Sequence, residues 1–318
     1  MGYVYSHDSH IPTVAWYFQD DCSVNKYILI PAAARFVSQA LDSVLAYHQR
    51  TKHQFHGYAA GSGGLDWANQ PAAFRYFSGS RQVPLPLLGD AELPRYVDLY
   101  VPGKVLAQPL TITTIAALLE LSLGISAWKQ LGESRWALRC NPSSGNLHPT
   151  EAYIVITGEG DTANGVYHYL SHDHLLEQRC TFASDNIDTV LPVDTFLLGL
   201  SSIHWREAWK YGERAFRYCQ HDIGHAIAAV RYAAAVLGWQ VKLLDHWGSD
   251  QTATILGLDR IQDFGRAEAD QADLMLQITA GPATTDLVSP DSLLMFARNG
   301  HWQGKANVLS KQHGHQWP

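Results

Sequence analysis

Three stretches of the chain repeat apolar residues at helical spacing. Residues 31–50 begin with proline, a favoured residue of the first helical turn, and space their apolar side chains three and four apart. Residues 110–124 begin next to a capping threonine and end at Gly124. Residues 205–237 continue the helical period, and we expect a break near Gly212 or Gly224. The pattern therefore predicts an N-terminal helix and a set of longer helices further along the chain.

Four shorter apolar stretches have the composition of strands. EAYIVIT (151–157) and VYHYL (166–170) are joined by a loop with hairpin chemistry, and WQVKLL (239–244) and LMLQITA (274–280) come later. The order of helices and strands does not follow regular βαβ alternation. The sequence therefore predicts an α+β fold.

Proline concentrates between residues 80 and 109, where little periodicity is visible, so we predict an extended connector there. We place a boundary at its end. Residues 1–108 would form an N-terminal, largely helical segment with its connector, and residues 109–318 would form the main domain.

Composition narrows the class of protein. The 318 residues are 46% hydrophobic and 17% charged, which is typical of a globular protein and not of a disordered one. The net charge of -7 offers no broad basic field, so we expect neither a nucleic-acid nor a membrane partner. The start lacks a basic segment followed by an apolar run, and the four cysteines form no CxxC pair. We therefore expect a cytoplasmic protein with free thiols.

The segment RCNPSSGNLHPTEAYIVI (139–156) contains the most informative chemistry. It is a turn cluster that leads into a buried strand. Pro142 fixes one backbone dihedral, and Gly145 allows the main chain to approach a ligand closely. Hydroxyl, amide and imidazole groups follow one another within six residues. Such a loop either turns the chain or holds a flat ring with polar edges, and its residues alone do not decide between the two.

The form PSSGNLHP (142–149) resembles the flavin-contacting signature of nitroreductases, Pro-Ser-Ser-x-Asn-x-Gln-Pro, with His148 in place of the glutamine. Its extension, PSSGNLHPTEAY, is similar to the SagB/ThcOx-type dehydrogenase branch. WKYGERAFRYCQHDIGH (209–225) is similar to the Lys-Tyr-x-x-Arg-x-x-Arg and Asp-x-Gly-His stretches of the same branch, and YHQRTKH (47–53) and LDWANQP (65–71) also look typical of it. The resemblance extends from about residue 45 to about residue 310.

This resemblance implies a nitroreductase-like α+β fold with a central mixed, mainly antiparallel sheet flanked by helices, and non-covalently bound FMN. Lys210 and Tyr211 match the pair that is implicated in catalysis in azoline-oxidising relatives. Lys210 would act as a base and Tyr211 would relay or donate a proton. The residues that would contact the cofactor are Arg139, Pro142, Ser143, Ser144, Gly145, Asn146 and His148.

The resemblance also implies a small-molecule or peptidic substrate, with NAD(P)H or oxygen as redox partner, and a two-fold dimer. Longer relatives carry a second, similar half, which could take the place of the second subunit. The Arg-x-Ser-x-Arg stretch that grips the FMN phosphate in many nitroreductases is missing here. Arg139, Arg75 and Arg81 are the candidates for that role.

Two other classes of function stay open. His221 and His225 lie four apart on a predicted helix, a workable zinc spacing for a metal-dependent hydrolase, although the stretch HDIGH lacks the glutamate of HExxH. The second class is a flavin-fold protein that is catalytically idle or consumes its flavin. A Rossmann-type NAD enzyme is disfavoured, because no GxGxxG lies between a strand and a helix.

Overall fold

The computed structural model of the chain describes residues 2–4, 15–17, 32–89, 93–157, 162–182, 190–281 and 287–313. Contacts divide the chain into two units, Met1–Lys52 and His53–Pro318. The predicted boundary near residue 108 concerns the start of the nitroreductase-like domain and stays a prediction. Two cysteines of the second unit, Cys180 and Cys219, are buried free thiols, and Cys140 is an exposed one. Cys22 lies outside the described residues.

The first unit contains a short antiparallel ribbon, β1 (Gly2–Val4) with β2 (Ala15–Tyr17), and helix α1 (Ala32–Thr51). The helix predicted for residues 31–50 is therefore confirmed, and Pro31 itself lies outside the described residues. From Gln39 onward almost every side chain of α1 is exposed.

The second unit is built on an antiparallel sheet of eight strands. Along the sheet the order is β11-β12-β10-β7-β8-β9-β13, and β4 also pairs with β9. The strands of this unit are β3 (Phe77–Ser78), β4 (Arg81–Pro84), β5 (Ile125–Leu131), β6 (Ser134–Arg139), β7 (Thr150–Ile156), β8 (Gly165–Leu170), β9 (Leu175–Thr181), β10 (Thr195–Ser202), β11 (Gln240–Leu243), β12 (Gln271–Thr279), β13 (His301–Trp302) and β14 (Lys305–Ala306).

Helices cover both faces of this sheet. They are α2 (Ile112–Leu123), α3 (His204–Tyr211), α4 (Ala215–Val236), α5 (Ser249–Leu256), α6 (Ile261–Phe264) and α7 (Pro290–Asn299). Strand β7 contributes side chains to the hydrophobic cores on both faces of the sheet, because successive strand residues point to opposite faces. Ala152, Ile154 and Ile156 belong to the core that includes α2 and α4. Tyr153 and Val155 belong to the core that includes α5 and α7. Burial on both faces explains why this strand is an unbroken apolar run in the sequence.

The α+β class and most of the predicted elements are confirmed. Helix α2 starts where Thr111 accepts a hydrogen bond from the backbone of Thr114, at 3.2 Å, and the predicted break in the long helical stretch falls at Gly212. The predicted strand set was incomplete, since it lacked β9, β10 and the β5–β6 hairpin. The stretch between residues 80 and 109, predicted as an extended connector, contributes strand β4 to the sheet edge and a 3₁₀ turn at Tyr96–Tyr100.

In the described residues, no helix combines the length and the apolar character needed to cross a bilayer.

Candidate active site

Strand register brings the 142–149 loop and helix α3 to the same end of the sheet. β7 and β10 are antiparallel neighbours, and Thr150 at the start of β7 lies opposite Ser202 at the end of β10. The chain entering β7 and the chain leaving β10 must therefore lie side by side. The amide of Ile203 donates to the carbonyl of Pro149 at 2.8 Å, which joins the two segments directly.

The loop has a tightly curled backbone. Gly145, Asn146 and His148 all have positive φ angles, of 66°, 59° and 48°. A left-handed conformation is costly for residues other than glycine, so its repetition at non-glycine residues indicates a conformation imposed by surrounding contacts. The amide of Asn146 donates to the carbonyl of Ser143 at 3.1 Å, closing the turn. The exposed backbone of Gly145 lies at its tip.

Side chains within the loop hold it in this shape. Ser143 Oγ accepts from the amide of His148 at 2.9 Å, and Asn146 Nδ2 donates to the carbonyl of Ala137 at 2.9 Å. Burial and the positive charges of Arg139 and Arg206 lower the pKa of His148 to about 3, so its ring is neutral. Its Nε2 therefore donates to Asn146 Oδ1 at 2.8 Å. The side chains of Ser143, Asn146 and His148 thus shape the loop, and their predicted contacts with a cofactor stay predictions.

Lys210 and Tyr211 lie against the tip of the loop. A Cβ atom added to Gly145 would lie 2.5 Å from Tyr211 Oη and 2.9 Å from Lys210 Nζ. The Lys210 amine and the Tyr211 hydroxyl therefore lie next to the space that a side chain at position 145 would occupy. The structure thus brings together two motifs that are more than sixty residues apart in the sequence. Burial raises the pKa of the half-buried Tyr211, and the nearby Glu207 carboxyl adds to the effect.

The break at Gly212 fixes the end of α3 at this position. Gly212 has a φ of 56° and ends the helix directly after Tyr211. A second segment covers the turn, since Ser62 Oγ donates to the carbonyl of Lys210 at 2.9 Å. Trp209 Nε1 also donates to the carbonyl of Asp66 at 2.8 Å. The glycine-rich stretch at residues 61–64 therefore lies against the catalytic candidates.

The arginines considered as phosphate ligands have other contacts. Arg139 donates to the carbonyls of Thr150 and Ala73 at 3.1 and 3.2 Å, and its predicted role toward a phosphate stays a prediction. Arg75 is wholly buried, where it pairs with Asp270 at 3.3 Å, so its guanidinium is not open to a ligand. Arg81 lies on edge strand β4 with its side chain exposed.

A buried ionic network supports the loop from the sheet side. Arg206 donates to the carbonyl of His148 at 2.8 Å and pairs with Glu151. His168 lies between two carboxylates, with Nε2 3.0 Å from Glu151 and Nδ1 2.9 Å from Glu177. Burial lowers the pKa of His168, but the hydrogen bonds and charges of the two glutamates outweigh it, and the net shift is upward. The two glutamates therefore favour the charged form of the buried His168 ring.

Two buried carboxyl groups next to the site were missed from the sequence. Asp222 is fully buried, and its Oδ1 accepts from the amide of Ser144 at 3.2 Å. Glu207 is fully buried on α3. Helical spacing from Lys210 was the available signal for Glu207, since residues three apart share a face.

His221 and His225 are the two histidines whose spacing suggested a zinc site. His221 and His225 lie on the exposed side of α4, and His225 Nδ1 donates to the carbonyl of Pro142 at 3.2 Å. Across the described ranges, no three His, Cys, Asp or Glu side chains are grouped as a metal ion would require.

The loop fits a flat ring with polar edges. Gly145 presents bare main chain beside an amine and a phenol. Among the described residues, Asn141 Oδ1 and His148 Nδ1 are buried next to the loop without a hydrogen-bond partner. A flavin has both donors and acceptors along one edge, so it matches the donor set that Lys210, Tyr211 and the loop backbone offer.

The fold is that of the nitroreductases, as the loop motif predicted. The structure is similar to that of a protein from Anabaena variabilis assigned as a nitroreductase, with a TM-score of 0.56 and 22% sequence identity. The match covers 84% of this chain and 55% of that one, so the chain spans about half the length of this relative.

Two further solved structures are more distantly similar. One is a protein from Ralstonia eutropha assigned as a nitroreductase, with a TM-score of 0.46, 17% identity, and coverage of 71% of this chain and 99% of that one. The other is a chain of the E. coli microcin synthetase McbBCD complex with truncated pro-MccB17 bound, with a TM-score of 0.42, 17% identity, and coverage of 63% and 79%. No family model and no curated protein matches the sequence.

Proposed function

We propose that the chain is an FMN-dependent oxidoreductase of the SagB-type dehydrogenase branch of the nitroreductases. The observation that carries this proposal is the convergence of Lys210 Nζ and Tyr211 Oη on Gly145 of the 142–149 loop. Two motifs read separately in the sequence meet at one place, and that place offers bare main chain, a base and a proton donor. The nitroreductase fold supports the same class.

Each residue has a role in this reaction. When bound, FMN would supply the acceptor, N5 of its ring, for the hydride that leaves the oxidised substrate atom with two electrons. Lys210 Nζ removes a proton from the substrate atom adjacent to the one that is oxidised, so a new N–H bond forms as the C–H bond breaks. Tyr211 relays or donates a proton through its hydroxyl. Pro142, the loop residues 143–146 and His148 hold the cofactor, and Arg139 is the candidate for its phosphate.

The substrate class follows from the branch. We propose a small molecule or a peptide that carries an azoline ring, which the enzyme oxidises to an azole. In this oxidation oxygen would take the two electrons that the flavin has received, whereas NAD(P)H would be the redox partner of a reaction in which the substrate is reduced. The active assembly is a homodimer, or a pseudo-dimer with a second half, and the shorter length of this chain relative to the Anabaena protein is compatible with either.

The first test is whether the protein binds flavin. The purified chain is expected to show the visible absorbance of an oxidised flavin, either as isolated or after incubation with FMN and removal of the excess, and mass spectrometry should identify the released cofactor as FMN. A protein that stays colourless under both conditions contradicts the proposal.

The second test concerns Lys210. Lys210→Ala should retain the flavin absorbance and lose turnover with an artificial electron acceptor, because the base is removed while the loop is kept. Lys242→Ala, on edge strand β11, is the matched control and should keep full activity. Full turnover in Lys210→Ala contradicts the proposed base. Bound flavin without any turnover in the native chain favours the catalytically idle alternative.

A further inference from the structure

Glu207 lies on the same face of α3 as the proposed catalytic pair. It precedes Lys210 by three residues and Tyr211 by four, and such positions are neighbours on a helix. Its side chain is 0% exposed. In the part of the chain that the structure describes, no group forms a hydrogen bond with either of its carboxyl oxygens. A buried carboxyl without partners has to be explained, because an ionised one is strongly unfavourable.

Four titratable groups interact electrostatically with Glu207. They are Lys210 and Tyr211 from its own helix, and Cys219 and Asp222 from α4. Burial and the negative charge of Asp222 raise the pKa of Glu207 to about 9, and the positive charge of Lys210 opposes them. The carboxyl group therefore keeps its proton at neutral pH.

Asp222, whose charge acts on Glu207, is hydrogen-bonded to the loop. Its Oδ1 accepts from the amide of Ser144, the residue directly before Gly145. The positive charge that acts on Glu207 is that of Lys210. A carboxylate at Glu207 would have the Lys210 ammonium group to pair with.

Lys210 does not form that pair in the structure. Its Nζ lies against the loop, 2.9 Å from the place where a Cβ of Gly145 would be. This orientation agrees with an uncharged Glu207, since a neutral carboxyl exerts little pull on the amine. Ionisation of Glu207 would attract the ammonium across less than one turn of helix.

We propose that Glu207 is a positioning residue whose proton leaves the Lys210 amine directed at the Gly145 loop, and that loss of this proton to solvent pairs the amine with Glu207 and withdraws it from the site. The inference rests on the proposed function for the importance of Lys210. The orientation of the amine itself does not depend on turnover.

The test that does not depend on flavin measures the reactivity of Lys210. Native protein and Glu207→Gln, a neutral side chain of the same shape, are acylated in flavin-free form between pH 7 and pH 10. Labelling of Lys210 is then compared with that of Lys242 in the same digest by mass spectrometry. The relative labelling should be equal in the two proteins at pH 7. Above pH 9 it should be about fivefold lower in the native chain, the effect of a partly exposed ion pair.

The second readout is the pH profile of turnover with FMN bound. The native enzyme should lose activity as the pH rises through about 9, and Glu207→Gln should not. Glu133→Gln makes the same chemical change at the exposed turn between β5 and β6 and should follow the native profile. Circular dichroism confirms that both variants are folded.

The outcomes separate the two hypotheses. Equal labelling of Lys210 in the native chain and Glu207→Gln at pH 10, or an unchanged alkaline limb in Glu207→Gln, overturns the role of Glu207. If the native chain has no turnover at all, the proposed function fails, and the labelling comparison alone supports or overturns the positioning role.

Discussion

The unpartnered carboxyl of Glu207 gives the protein a stability that depends on pH in a defined direction. Burial holds the pKa of this group at about 9 in the folded chain, against 4.5 for an ordinary glutamate. A raised carboxyl pKa means that the folded state binds the proton more tightly than the unfolded state does. The contribution of Glu207 to the free energy of unfolding is therefore most favourable below about pH 4.5 and falls steadily until about pH 9.

The magnitude follows from the pKa difference. A pKa change of one unit is worth about 1.36 kcal/mol, so Glu207 reduces the free energy of unfolding by about 4 kcal/mol between pH 5 and pH 8. That is a large part of the roughly 5–15 kcal/mol by which domains are stable. Glu207→Gln cannot ionise and lacks this term. Relative to the native chain, the variant should gain about 4 kcal/mol over the same interval.

Urea unfolding of the flavin-free protein at pH 5, 6.5 and 8 measures the effect. All other titrating groups are shared by the two proteins, so their contributions largely cancel in the difference. The exposed carboxyl of Glu133 provides the control, and Glu133→Gln should follow the native chain at every pH. If the native chain and Glu207→Gln show parallel pH dependences, Glu207 is not a protonated buried acid and the reasoning fails.

Two further substitutions test the loop and the network below it. Gly145→Ala places a methyl group 2.5 Å from Tyr211 Oη at a φ of 66°, so flavin affinity and turnover should both fall while circular dichroism stays native; unchanged flavin affinity would show that the loop tip is not the binding site. His168→Leu removes the imidazole that Glu151 and Glu177 share and should lower the free energy of unfolding by about 3–5 kcal/mol. The loss should be greatest at acidic pH, because the raised pKa of His168 favours its charged form there. An unchanged urea midpoint at pH 6 contradicts this prediction.

The elements that could be predicted from the sequence are those in which the buried positions are also the apolar positions. Helix α2 and strand β7 are of this kind. Strand β9, LLEQRCT, is almost entirely buried although its centre is polar. Glu177 and Arg179 form ion pairs there with His168 and Asp263, which other parts of the chain supply. A pattern read along one segment cannot contain those partners, so buried polar strands are missed.

In the candidate site, too, the local motifs were predicted from the sequence and the contacts between distant segments were not. The loop and the Lys-Tyr pair were visible because each is a local motif. That the two meet depends on the register between β7 and β10, which no local pattern specifies. The side chains of Asn146 and His148 turned inward for a similar reason, since their acceptors and neighbours come from β6 and α3. The β5–β6 hairpin is different, because its Gly-Glu turn was a usable signal.

The position of Lys210 rests on rigid elements. Arg206, one turn earlier on α3, donates to the carbonyl of His148 and pairs with Glu151 at the start of β7. The helix that carries the amine is thereby fixed to the loop that receives it, as a preorganised site requires. Glu207 differs from these stabilising residues, because its raised pKa lowers the free energy of unfolding by about 3 kcal/mol at pH 7. A side chain that cannot ionise would avoid this pH-dependent cost. Local costs of this kind are expected where a side chain serves chemistry, and the position of Glu207 beside the amine is such a place.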